Sequence, residues 1–111
     1  MDIKEFEKIV NEQLESCKNI LTNKGTEYAF TKDRLKSFKD AAKLLDTNST
    51  YALCGQLAKH IISIIDMCKA NEYFPIEKWN EKISDSINYL CLLKALVIET
   101  SSEFCEAVLH E

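Results

Sequence analysis

Glu77, Glu81, Asp85 and Asn88 follow one another at intervals of four, four and three residues. That spacing stacks side chains along one stripe of an α-helix. A second polar stripe, Gln56, Lys59, Ser63 and Asp66, lies upstream at the same kind of interval. Between the two stands a short connector, Asn71 to Phe74, followed by Pro75. Asp66 precedes the connector by about one helical turn and Glu81 follows it by about the same distance, so an antiparallel pair would set them at similar height. Asp85, one turn further on, would come level with Ser63 and Lys59.

If the two stripes face one groove, Asp66, Glu81 and Asp85 converge. Carboxylates brought together repel one another unless a cation or protons compensate. Magnesium is the cation expected, because it takes oxygen ligands from a few carboxylates and substrate phosphates. Glu81 and Asp85 would then also serve catalysis, one of them as the base for an attacking water. The alternative is a solvated face whose acids favour the positive end of a helix dipole. Against a purely external face, the stripe continues after Asn88 as Leu92, Ala95 and Leu96.

Basic residues gather at Lys24, Lys32, Arg34, Lys36 and Lys39, and Arg34 is the only arginine among 14 basic residues. Its planar guanidinium suits phosphate or carboxylate, although an arginine in a surface ion pair would fit the sequence equally well. Tyr28 and Phe30 could stack on a ring or pin their loop to the core. His60 borders an apolar arc and reads either as a ligand contact or as a hydrogen-bonded boundary residue. No Ser-His-Asp or Cys-His spacing, Gly-rich phosphate loop or zinc-protease motif occurs.

The elements that must position these residues are helical. With two Gly and one Pro in 111 residues, punctuation for sheets and turns is scarce. Phe6, Ile9, Val10, Cys17, Ile20 and Leu21 predict a first helix over 2–21, stopped by Asn23-Lys24-Gly25. A second helix is expected over 32–45, capped by Thr31 or Asp33, with Leu35, Phe38, Ala42 and Leu45 inward. A third spans 50–70, with a broad apolar arc that includes Leu53, Leu57, Ile61, Ile64 and Ile65. The fourth runs from Pro75 to about Glu99, its second half apolar nearly all round and therefore expected to lie centrally or in a subunit contact. Thr100 and Glu103 have capping-box spacing and predict a short fifth helix. The expected fold is an all-α bundle of four to five helices, one domain over 1–111, with helices three and four as a central antiparallel hairpin.

Eighteen acidic residues against 14 basic give a formal charge of −4, which opposes general affinity for duplex nucleic acid. A DNA-binding helix-turn-helix is disfavoured on the same ground. The five cysteines lack C-x-x-C spacing and only two histidines accompany them, so a zinc site is not expected. An odd count on apolar faces suits reduced cysteine in a cytoplasmic protein. The longest apolar stretch, around Tyr89 to Ile98, is too short to cross a bilayer.

Lys24-Gly25-Thr26-Glu27-Tyr28, the helix ending in Lys59-His60, and Trp79-x-Glu81-Lys82-Ile83-x-Asp85-x-x-Asn88-Tyr89-Leu90 resemble small phage and prophage proteins. These are related to the nucleotide-modification-associated domain and, more distantly, to all-alpha NTP pyrophosphatases of the MazG and dimeric dUTPase type. The resemblance implies a nucleotide or other phosphate-bearing small molecule as ligand, a magnesium-dependent pyrophosphatase if active, and the cytoplasm of a bacterial host. Asp66, Glu81 and Asp85 would hold the metal, Lys59 and Arg34 the phosphates, and Tyr28 or Asn88 the nucleoside, with His60 beside them. The family's Glu-Glu-x-x-Glu run on the preceding helix is missing, which points to a degenerate member. The competing expectation is a non-enzymatic helical module that binds a host protein or sequesters a signalling nucleotide. A homo-oligomer is expected in either case.

Overall fold

The computed structural model describes the backbone of residues 1–27 and 33–109 and the side chains of 1–22 and 33–103. Four helices account for nearly all of it: α1 (Ile3–Glu27), α2 (Lys36–Leu44), α3 (Ser49–Lys69) and α4 (Ile76–Leu109). No strand occurs among the described residues.

Local chemistry sets most of the boundaries. Asp2 and Glu5 exchange hydrogen bonds with each other's backbone N–H at 2.9 Å, a reciprocal cap that starts α1. Asn48 caps α3, its side-chain oxygen accepting from the Tyr51 N–H at 2.8 Å. Asp46 and Asn71 take φ of 54° and 50°, the left-handed conformation in which short polar side chains commonly end a helix. The Pro75 carbonyl accepts from Lys78 and Trp79, so the proline opens α4 without needing an N–H of its own.

Three boundaries differ from expectation. α1 continues through Gly25 to Glu27, since a glycine lowers helix propensity without forbidding the helix. α2 begins at Lys36 rather than at 32, because Asp33 turns its carboxylate onto the Leu35 N–H (2.9 Å) and shapes the preceding turn. Thr31 lies outside the described residues. α4 does not break at Thr100 and is continuous to Leu109, so the described residues form four helices and no separate fifth.

α3 and α4 form the expected antiparallel hairpin: Leu53 near the start of α3 packs with Leu96 late in α4, while His60 meets Asp85 and Tyr89 nearer the middle. Leu35, from the turn before α2, joins Leu53 and Leu96 in the core, and Phe38, Leu57, Tyr89, Leu92 and Leu93 surround that trio. α1 lies along the other side of α4 and runs in the same direction. Its Gln13 amide donates to Ser84 Oγ at 2.8 Å and to the Cys17 sulfur at 3.2 Å, where Cys17 and Ser84 are buried. Both α1 and α2 thus sit on one face of the hairpin. No helix among the described residues is long and apolar enough to cross a membrane.

Burial is narrower than the apolar patterns imply. On α3, Leu53 is fully buried and Leu57 and Ile64 partly so, but Ile61 and Ile65 stay exposed. Phe6, Ile9 and Leu45 are also exposed, contrary to the expected core. The radius of gyration is 17.2 Å with extents of 56 × 29 × 28 Å. A compact chain of this size would have about 13 Å. The protein is a rod with much apolar surface open.

Gly55 lies within α3, exposed, and a Cβ added there would meet nothing within 4 Å. Gly55→Ala should therefore raise stability by about 0.5–1 kcal/mol, through helix propensity alone. Denaturant unfolding checks this, and a lower midpoint would contradict it.

Candidate functional site: a polar cleft over the helical hairpin

Where α1 and α2 come together over the hairpin they leave a cleft of about 660 Å³. Volumes of this order accommodate small organic ligands. Ile20 and Leu21 contribute from α1, Arg34 and Phe38 from α2 and the turn before it, His60 from α3, and Asp85, Asn88 and Tyr89 from α4. Four of the residues singled out by sequence, Arg34, His60, Asp85 and Asn88, therefore share one wall-to-wall space.

The polar stripe of α4 explains how. Glu77 and Glu81 are exposed, Asp85 is half-buried, Asn88 is buried, and Leu96 is in the core. The stripe passes from solvent into the interior as α1 and α2 close over it. Asp85 and Asn88 stand at the crossing, which is the change of character legible in the sequence.

On the α3 side the groove is met by His60. Its Nδ1 is 3.8 Å from Asp85 Oδ2, and its ring lies against Tyr89 with centroids 4.9 Å apart and planes tilted by 32°. Phe38 meets the same Tyr89 ring edge-on at 6.2 Å. These three rings pack together along the cleft and hold the phenol and the imidazole in place.

Arg34 stands at the rim. Its guanidinium donates one hydrogen bond to the Leu21 carbonyl at 3.2 Å, tying the turn before α2 to α1. A guanidinium has five N–H donors, so the plane is oriented by that bond with donors to spare. Two other charged groups stand beside the cleft, one a pair and one a lysine shared by two carboxylates. Lys36 bonds Asp40, and Lys39 bonds both Asp33 (2.8 Å) and Glu99. The hydrogen bond from Lys39, with help from the Leu35 N–H, holds the Asp33 carboxyl below the usual carboxylate range. The same bonds, from Asp33 first and Glu99 second, push the Lys39 ammonium upward. Lys39 thereby clips α2 to α4 and keeps the cleft wall in position.

Asn88 carries an unusual feature. The residue is buried, at 6% exposure, yet its Oδ1 has no hydrogen-bond donor among the described residues. A buried amide oxygen without a partner costs about 1–3 kcal/mol, so native structures seldom leave one unless something fills the role.

The remaining expected residues lie elsewhere. Lys59, Asp66 and Glu81 are exposed to solvent and do not line the cleft. Tyr28 falls outside the described residues. No three His, Cys, Asp or Glu side chains come together as metal ligands among the described residues. The side of α3 turned to α4 carries Leu53, Leu57 and His60, and Asp66 and Glu81 stay outside the cleft that Asp85 lines. Phe38, Tyr89 and the Lys39 clip were not singled out as site residues. An aromatic pair drawn from α2 and α4 has no spacing signal in the sequence.

Comparison with protein-family models, with characterised proteins and with solved structures finds no match to this chain.

Proposed function

We propose that the cleft binds a small phosphate-bearing molecule of nucleotide type, and that it does so without needing a metal cage. The observation that carries this reading is Asn88, which lines the cleft and whose buried Oδ1 has no donor among the described residues. An occupant bearing an N–H or O–H would satisfy it. Arg34 supplies the second requirement, a planar cation at the rim suited to an oxyanion. A molecule with a hydrogen-bonding ring at one end and a phosphate at the other meets both.

Charge balance favours a lightly charged ligand. Asp33 and Asp40 are each bonded by a lysine, and Asp85 has His60 beside it, so among the described residues that line the cleft Arg34 is the cation left for the ligand. One arginine against a triphosphate leaves most of its charge uncompensated, whereas a mono- or cyclic phosphate is matched. Magnesium does not fit this donor set. Asp85 is the one carboxylate of the expected trio on the cleft, its neighbour is the His60 imidazole, and Asp33 and Asp40, the other carboxylates lining the cleft among the described residues, are held by lysines. Binding without pyrophosphate cleavage is the function these residues support best.

The test is a thermal-shift panel of nucleoside mono-, cyclic, di- and triphosphates, each with magnesium and with a chelator. A monophosphate or cyclic nucleotide should raise Tm, and the rise should survive chelation. No shift with any nucleotide would remove the reading, and a shift that needs magnesium would overturn its metal-free form.

A second reading, a helical module that docks on another protein, is favoured by one observation. Ile3, Phe6, Ile9 and Leu14 of α1 are all exposed. Such a module would keep its activity when Asn88 and Arg34 are replaced and lose it on Phe6→Glu.

A further inference from the structure

The hairpin has α1 and α2 on one face only, and its other face is apolar. Along α4, Ile76, Ile83, Leu90 and Val97 recur at intervals of seven and are all exposed. Along α3, Tyr51, Cys54, Ala58, Ile61, Ile65 and Cys68 recur at alternating steps of three and four, and all six are exposed as well. These are two heptad seams with no neighbour among the described residues.

The seams point the same way. At about 100° per residue, Ile83, Leu90 and Val97 lie roughly a quarter-turn past the α4 residues that meet α3. Cys54, Ile61 and Cys68 lie roughly a quarter-turn past the α3 residues that meet α4. Because the two helices are antiparallel, equal rotations bring both seams to one side of the hairpin, the side opposite α1 and α2.

We infer that a second copy of this chain packs there, seam against seam about a two-fold axis, completing a four-helix bundle from two hairpins. Seven-residue spacing is the geometry in which helices insert knobs into one another's holes, and a face carrying that spacing on both its helices is complementary to itself. A two-fold contact uses the same patch on both partners, so it needs nothing the chain lacks.

The area agrees. Tyr51, Ile61, Ile65, Ile83, Leu90 and Val97 are between 37% and 71% exposed. With Ile76 and the smaller Cys54, Ala58 and Cys68 of the same seams, they present on the order of 800 Å² of exposed surface, against the roughly 800 Å² per partner of a standard interface. Monomers seldom leave a contiguous apolar patch beyond about 300–600 Å². Lys94 is the one charged residue on the α4 seam, and its long stem can lie over apolar surface with the ammonium at the edge.

Sedimentation equilibrium or light scattering at about 100 µM chain tests the inference, since association follows mass action. Wild type should show twice the 12.7 kDa chain mass. Ile61→Glu with Leu90→Glu should fall to the single-chain mass with its helical circular dichroism retained. Should that variant lose its helices, thiol labelling of the unmodified chain decides instead. Cys54 and Cys68, on the seam, should react several-fold more slowly than Cys91 and speed up on dilution. A wild-type chain of single mass, equal labelling of the three thiols, or dissociation by Phe6→Glu with Ile9→Glu in place of the seam changes would each overturn it.

Discussion

Leu53→Ala is expected to lower the unfolding free energy by about 2–5 kcal/mol, the range for removing a fully buried leucine from a packed core. For a domain of this size that corresponds to a fall in Tm on the order of 10–20 °C. Leu53 has no exposed surface and joins Leu35 and Leu96, so it is the point where the turn before α2, α3 and α4 all meet. Few apolar side chains are as well buried here, which gives a single cavity an unusual share of the total stability. The surrounding Phe38, Leu57, Tyr89, Leu92 and Leu93 are only partly buried and could collapse toward the void, which sets the lower end of the range. Thermal and denaturant unfolding at fixed chain concentration would measure it. A loss below about 1 kcal/mol would show that this trio is not the main core.

Asn88→Leu should do two opposite things. Leucine shares asparagine's branch at Cγ, is somewhat larger and has no polar atoms, so the substitution removes an oxygen that has no donor among the described residues. Losing an unsatisfied buried acceptor relieves a penalty of about 1–3 kcal/mol, and the ligand-free protein should become more stable. Ligand affinity should fall about tenfold or more, because the hydrogen bond that the occupant supplies disappears. The pair of readouts separates a binding role from a structural one. If Asn88 merely holds a buried water or a neighbouring helix, the leucine variant should be less stable and bind no differently. Arg34→Lys offers a milder comparison: it keeps the charge but loses the planar fork, so it should weaken phosphate binding without raising stability.

The spacing of the two polar stripes, and with it the resemblance to all-alpha pyrophosphatases, led to expecting three acids around a cation. Only Asp85 stands in the cleft, while Asp66 and Glu81 remain in solvent. Helical spacing places residues on a stripe but does not say which stripe of the neighbouring helix lies opposite. That depends on the rotation of α3, which is set by which of its apolar residues win places in the core. Leu53 and Leu57 do, and this rotation turns His60 toward Asp85 and leaves Lys59 exposed.

The same competition explains the exposed residues. Ile61 and Ile65 are as apolar as Ile64, and no local signal separates them. One chain has only α1 and α2 to cover the hairpin, and both lie on one side. The apolar arc of α3 is wider than a single neighbour can bury, and the excess becomes the heptad seam assigned to a second copy.

By itself the sequence determined the all-helical class, the α3–α4 hairpin, the start of α4 at Pro75, and the passage of the α4 stripe from polar to apolar after Asn88. These are effects of spacing, backbone chemistry and a short connector, all local in the chain. Only the tertiary structure decided that Arg34, His60, Asp85 and Asn88 share one cleft, that Phe38 and Tyr89 line it, and that Asp66 and Glu81 stay outside. Those outcomes depend on the relative rotation of packed helices, which is fixed by competition among many similar side chains for a small core and leaves no trace in any single stretch of residues.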